Sequence, residues 1–288
     1  MLLLLVAVAF GANHVAARLA FDHGTGVSFA VAVRSAVTAL AVIALLRTAG
    51  VRLRMQAATL GRAIAVGLLV SVQSFCVYSA VARIPVALAL LAFNTFPVML
   101  GLMSWATGAE RPSRRALFAM PVALSGLAIA LDVFGWVPRT SSGAGAGSLG
   151  AGVAFALAAS VSMAAALLLT TRWLGAVDGR LRTAILMSVV AAVTLVGGAA
   201  SGGFAPPADG IGWLGLALLT LFYGTGITVL FTVLPRLGAV NNAAIMNFEP
   251  VAALALGWLV LDQRIAASQI AGGLIVIAAI VVLTTGRR

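Results

Sequence analysis

RIPVALALLAFNTFPVMLGLMSWATGAER, residues 83–111, and RLGAVNNAAIMNFEPVAALALGWLVLDQR, residues 236–264, align without a gap at an offset of 153 positions. Arg83 matches Arg236, Asn94 matches Asn247, Pro97 matches Pro250, Trp105 matches Trp258 and Arg111 matches Arg264. Just before the first copy, Tyr78 meets aromatic Phe231 at the same offset. Coincident Arg, Asn, Pro and Trp positions in an Ala/Leu/Val background mark an internal duplication, and a repeat sets the architecture before any single motif does. In a membrane chain it also points to where a substrate sits.

Composition puts the chain in the membrane. Hydrophobic residues make up 62% of it and charged residues 9%, with a mean hydropathy of +1.13. A soluble domain is about a quarter charged, so this chain has too few charges to cover a solvated surface. Apolar runs of roughly twenty residues recur from end to end, each long enough to cross a hydrocarbon core as a helix. They are too long and too uniform for the alternating strands of a barrel. The first run is followed at once by further runs, so it reads as a span and not as a cleaved leader. The expected fold is an all-α polytopic membrane protein.

Ten spans are expected, over residues 2–21, 27–46, 61–81, 86–106, 116–134, 149–171, 183–202, 212–233, 239–260 and 268–285. Short connections leave no room for an extramembrane domain. The low-complexity stretch 141–148, SSGAGAGS, reads as a flexible Gly/Ser linker. It divides a first five-helix repeat, 1–140, from a second, 149–288, within one integral membrane unit.

Arginine sets the expected orientation, since all 18 basic residues are Arg. With the N-terminus in the cytoplasm, thirteen arginines fall in inside segments and three (Arg83, Arg139 and Arg264) outside. The positive-inside rule therefore places both termini in the cytoplasm. Contact with anionic lipid accounts for the formal net charge of +11 without nucleic acid. An odd number of spans per repeat then puts Arg83 outside and its mate Arg236 inside, so the two repeats are inverted. Inverted repeats flank a midplane binding site and rock between two mirror arrangements, which is the behaviour of a transporter.

The motifs carry a family resemblance over the whole chain. Asn94-Thr95-Phe96-Pro97-Val98 followed by Thr107-Gly108-Ala109-Glu110-Arg111-Pro112 resembles the drug/metabolite transporter superfamily in its ten-span EamA-type branch. So does Asn247-Phe248-Glu249-Pro250-Val251 followed by Leu261-Asp262-Gln263-Arg264, with Gln263 where the family often has Glu. Within the superfamily the chain is most similar to bacterial exporters of aromatic amino acids. The resemblance implies an alternating-access carrier of amino acids or related small metabolites in the bacterial inner membrane. Four-span relatives use a Glu in span one for proton antiport, and span one here has no acid. A facilitative uniporter therefore fits at least as well as a proton antiporter.

Polar groups inside spans are costly and often functional, which nominates the site residues. Glu249 reads as a proton-coupling group or a handle for a substrate ammonium, or else as the ion-pair partner of Arg34. Asn94 and Asn247 stand three residues before Pro97 and Pro250, lining the cavity at mirror depths or bonding between helices. The two prolines read as fixed kinks or gating pivots. Asn13 and His14 are cavity candidates on span one, where His14 and Arg18 share a face. Tyr78 with Gln73, Ser74 and Phe75, and Tyr223 with Phe222, line repeat-mate spans three and eight. An apolar cavity with a few such groups suits a zwitterionic solute with a hydrophobic side chain.

Other features read as scaffold. Trp105, Trp136, Trp173, Trp213 and Trp258 fall at span ends, as an interfacial belt does. Gly67, Gly126, Gly197, Gly198, Gly224, Gly226, Gly272 and Gly273 are expected to let helices approach closely. Cys76 is alone, and no metal-ligand, nucleophile–base or glycine-fingerprint spacing is present. An enzyme or a channel is thus the weaker reading, and no catalytic residue, metal or cofactor is expected. The expected partners are a small-molecule substrate and the bilayer, with a monomer sufficient because both repeats lie in one chain.

Overall fold

A computed structural model describes residues 2–50, 55–108, 118, 121–122, 125–126, 128–129, 146–237, 249–262 and 267–285. Every regular element among them is a helix. In order these are α1 (Leu2–Asp22), α2 (Val27–Thr48), α3 (Ala57–Val81), α4 (Val86–Phe93) and α5 (Phe96–Ala106). Then follow α6 (Ala146–Trp173), α7 (Gly179–Ala200), α8 (Gly210–Leu237), α9 (Glu249–Leu261) and α10 (Ala267–Thr285). Six segments among the described residues are long and apolar enough to cross a membrane. The chain is a multi-pass helical membrane protein. Most of the expected span 116–134, the linker 141–148 and residues 239–248 lie outside the described residues or are described only in part.

One expected span is broken. Residues 86–106 form two helices joined at Asn94 and Thr95. Pro97, in the first turn of α5, has no N–H for the carbonyl of Phe93, so the α-ladder cannot run through. Side chains at the break bond back into the end of α4: Asn94 Nδ2 donates to Leu90 O at 2.8 Å and Thr95 Oγ1 to Ala92 O at 2.7 Å. Irregular backbone at membrane depth survives only inside protein, and both residues are buried. Thr95 Oγ1 also lies 3.0 Å from Ser160 Oγ on α6.

Packing joins the early and late parts of the chain. The main neighbours of α1 are α8 and α9, those of α2 are α7 and α8, and those of α3 are α6 and α7. Small residues let these pairs close. A Cβ on Gly215 of α8 would stand 2.8 Å from Ala20 N, and one on Gly67 would stand 2.8 Å from Val189. Gly126 and Gly198 are as tight, against Ile275 and Ser28, whereas a Cβ on Gly197 would meet nothing within 4 Å among the described residues. Four helix ends are followed by a left-handed glycine (Gly24, Gly50, Gly108 and Gly202), the usual C-terminal stop.

The end of the bundle bearing the α1–α2 and α7–α8 connections is zipped across. Gly26 N donates to Ala205 O at 2.8 Å and Ala208 N to His23 O at 3.0 Å. His23 Nδ1 lies 2.7 Å from Asp209 Oδ2, while Asp209 Oδ1 caps α8 by accepting from Gly212 N at 2.8 Å. The Gly212 N–H, then His23, holds the Asp209 carboxyl below its usual value. A lowered carboxyl supports the clasp fully above about pH 4 and loses that support as pH falls through its own pKa. Asp209→Ala is therefore expected to speed amide exchange at Ala208 and Gly212 at neutral pH, and to flatten its dependence on acid. Exchange matching the wild type would show that the clasp does not hold this end.

Candidate functional site

Five helices bring polar side chains to one place inside the apolar bundle. Asn13 and His14 come from α1, Arg34 from α2, Ser74 and Tyr78 from α3, Tyr223 from α8 and Glu249 from α9. Tyr78 is 1% exposed and its hydroxyl is the hub. It donates to Asn13 Oδ1 at 2.9 Å and accepts from Arg34 Nη1 at 3.0 Å. Arg34 Nη2 donates to Ser74 Oγ at 3.2 Å, and Ser74 Oγ donates in turn to Gln73 Oε1 at 3.3 Å. The guanidinium carbon lies 3.7 Å from the Tyr223 ring centroid and 4.9 Å from that of Tyr78. Two tyrosine faces thus hold the cation where water is scarce, the setting in which cation–π attraction is strongest.

Glu249 corrects one expectation. It does not pair with Arg34: His14 Nε2 lies 3.3 Å from Glu249 Oε1. Depth along a helix is easily read from sequence, but the azimuth that decides between two partners at similar depth is set by packing. Gly11, one turn before His14, lets α1 settle against α9, since a Cβ there would stand 3.0 Å from both Ala253 N and Glu249 O. Arg18, on the same face as His14, turns to the helix end and bonds Asp22 at 3.0 Å and Val81 O at 3.1 Å.

The remaining candidates divide. Phe222 packs against the main hydrophobic core beside Tyr223. Phe75 is largely turned away, meeting Phe155 of α6 at 6.4 Å between centroids. Asn94 spends its amide N–H on its own helix, and the carbonyl it caps is Leu90 and not the Phe93 carbonyl freed by Pro97. Asn247 lies outside the described residues. Pro97 and Pro250 each occupy the second position of their helices, α5 and α9, a place where proline costs no hydrogen bond within the helix. Of the tryptophans, Trp105, Trp173, Trp213 and Trp258 are exposed near segment ends, and Trp136 is outside the described residues.

Two aromatic members of the site escaped the sequence reading. Phe10 sets its edge on Tyr223 with centroids 6.1 Å apart, and Phe21 does the same on Tyr78 at 6.1 Å. Phe10 stands four residues before His14, on the same helix face, and that spacing could have nominated it. His14 also lies against Tyr78, with ring centroids 5.3 Å apart.

A groove of about 690 Å³ runs between α2 and α8, lined by Val33, Val37, Trp213, Leu216, Leu221 and Thr225 among others. Its walls are largely apolar, and Val37, Trp213 and Leu221 among them are exposed. A polar solute would find almost no partner there. Among the described residues no three His, Cys, Asp or Glu lie close enough together to hold a metal ion.

Comparison with known proteins agrees with the architecture. The model of the EamA-like transporter family matches residues 1–131 and 150–285. No curated protein matches the chain. A solved structure described as "Crystal structure of protein" covers 99% of this chain and 99% of its own, with a TM-score of 0.61 at 19% identity. At that identity the likeness concerns the fold alone.

Proposed function

Since the chain belongs to the EamA-like transporter family, we propose that it exports amino acids, aromatic or otherwise hydrophobic, and related small metabolites by alternating access. The observation that carries this reading is the convergence of Asn13, Arg34, Tyr78, Tyr223 and the His14–Glu249 pair in an otherwise apolar bundle. The Glu249 carboxyl, the Arg34 guanidinium and the rings of Tyr78 and Tyr223 against that guanidinium suit a zwitterion with a hydrophobic side chain. Glu249 offers the handle for the ammonium.

Inverted five-helix repeats, 1–140 and 149–288, are the proposed machinery, in a bacterial inner membrane with both termini in the cytoplasm. The packing supports two-fold exchange of the repeats: α1 sits on α8 as α3 sits on α6, and α2 sits on its own mate α7. The family match, interrupted at residues 132–149, is consistent with the same division. Rocking about such an axis opens one end while closing the other, and the clasp of His23 and Asp209 would lie at the outer end.

Counterflow tests the proposal. Liposomes bearing the purified protein and loaded with unlabelled phenylalanine are expected to accumulate labelled phenylalanine transiently and saturably. Linear, unsaturable uptake would fit a channel, and no uptake across a panel of hydrophobic amino acids would remove the reading. A facilitative uniporter needs nothing further. The His14–Glu249 contact favours one second reading, proton-coupled exchange, because two titratable groups from the two repeats meet there. Under that reading Glu249→Gln makes transport indifferent to an imposed pH gradient; unchanged pH dependence would dismiss it.

A further inference from the structure

We propose that Arg34 and Asn13 together form the receiving point for a carboxylate on the transported solute. The inference rests on the transport reading above and names the chemical group that the site selects. Arg34 is 2% exposed and Asn13 1% exposed, so neither is solvated. Arg34 Nε and Asn13 Nδ2 are buried and find no hydrogen-bond partner among the described residues, and His14 Nδ1 beside them is in the same position. Buried N–H groups are normally satisfied, and a cation inside a membrane is normally paired. Arg34 is neither fully satisfied nor paired: among the described residues no carboxylate lies within ion-pair distance, and Glu249 is engaged with His14.

Geometry explains how the two donors act together. One phenolic oxygen, that of Tyr78, lies 2.9 Å from Asn13 Oδ1 and 3.0 Å from Arg34 Nη1. Tyr78 therefore locks both side chains to a common point. Each bond uses one end of its side chain and leaves the other, Nδ2 or Nε, uncommitted. A carboxylate presents two acceptor oxygens, one for each N–H, in charge-assisted bonds stronger than neutral ones. A phosphate fits less well because it calls for further cations: Arg18 is held by Asp22, Arg83 lies over Phe155, and the chain has no lysine.

The closing experiment reads binding apart from transport. The purified full-length protein in detergent micelles is titrated with phenylalanine, leucine and glutamate, and with the corresponding carboxamides, while the melting midpoint is followed. At least one amino acid is expected to raise the midpoint, and its carboxamide to bind about tenfold to a hundredfold more weakly, the loss expected for a charge-assisted bond. Asn13→Asp keeps the shape and supplies a carboxylate beside Arg34. It is expected to raise the midpoint without ligand and to abolish the ligand shift, and Arg34→Gln to abolish the shift as well.

Equal binding of the carboxamide, an intact ligand shift in Asn13→Asp, or no shift with any of the amino acids would each overturn the proposal. Equal binding with saturable counterflow would leave the transport reading standing without the carboxylate site. Carboxylate-dependent binding without counterflow would keep the site and remove the transport reading.

Discussion

Tyr78→Ala is expected to destabilise the protein by about 3–5 kcal/mol, the usual cost of emptying a buried aromatic site. Tyr78 is among the largest fully buried side chains, and Phe21 and His14 rest on its ring. The loss goes beyond the cavity. Arg34 Nη1 and Asn13 Oδ1 both lose their partner, and each group stranded away from water adds about 1–3 kcal/mol, more when it is charged. Tyr78→Phe separates the two contributions: it keeps the ring and removes only the hydroxyl, for an expected cost of about 1–3 kcal/mol. Thermal unfolding in detergent micelles measures both variants. If the Phe variant melts with the wild type, the hydroxyl is not the hub that the geometry describes.

Gly215→Val is expected to separate α1 from α8 and to cost about 1–3 kcal/mol or more, as overpacking does. A Cβ at this position would meet Ala20 N at 2.8 Å, Ala16 O at 3.0 Å and Ala20 Cα at 3.1 Å. All three are backbone atoms, which cannot rotate aside, so the helices themselves must part. That displacement would carry Phe10 away from Tyr223, and counterflow is expected to fall with stability. Gly197→Val is the control. Among the described residues nothing lies within 4 Å of a Cβ there, and surface changes of this kind usually stay within about 0.5 kcal/mol. Equal effects in the two variants would mean that the α1–α8 contact carries no special weight.

The membrane class was legible in composition, and most span limits were legible in the apolar runs. The expected 2–21 is observed as Leu2–Asp22, and 86–106 as the pair Val86–Phe93 and Phe96–Ala106. Pro97 announced the break between that pair because a missing N–H is a local fact. Tyr78 and Tyr223 were nominated because they lie in the repeat-mate spans three and eight, and they do face one Arg34 from two different helices. Phe75 was nominated only as a neighbour of Tyr78. At i−3 it shares roughly one helix face with Tyr78, yet α6 draws it away toward Phe155. Gly197 was grouped with the packing glycines by composition, and an exposed glycine carries no mark in sequence that distinguishes it from its buried neighbour Gly198.

Hydropathy and the spacing of Arg, Asn, Pro and Trp are properties of the chain read in order. They are enough to establish a helical multi-pass membrane protein and to nominate a short set of polar side chains within it, since transfer into lipid acts on each segment separately. Partnership among those side chains is another matter. Arg34 could have faced Glu249 on depth alone, and it faces Tyr78, Ser74 and Tyr223, while His14 takes the acid. That choice turns on the rotation of each helix about its own axis. Rotation is decided by contacts such as Gly11 on α9 and Gly215 on α1, between residues far apart in the chain, and only the packed bundle brings them together.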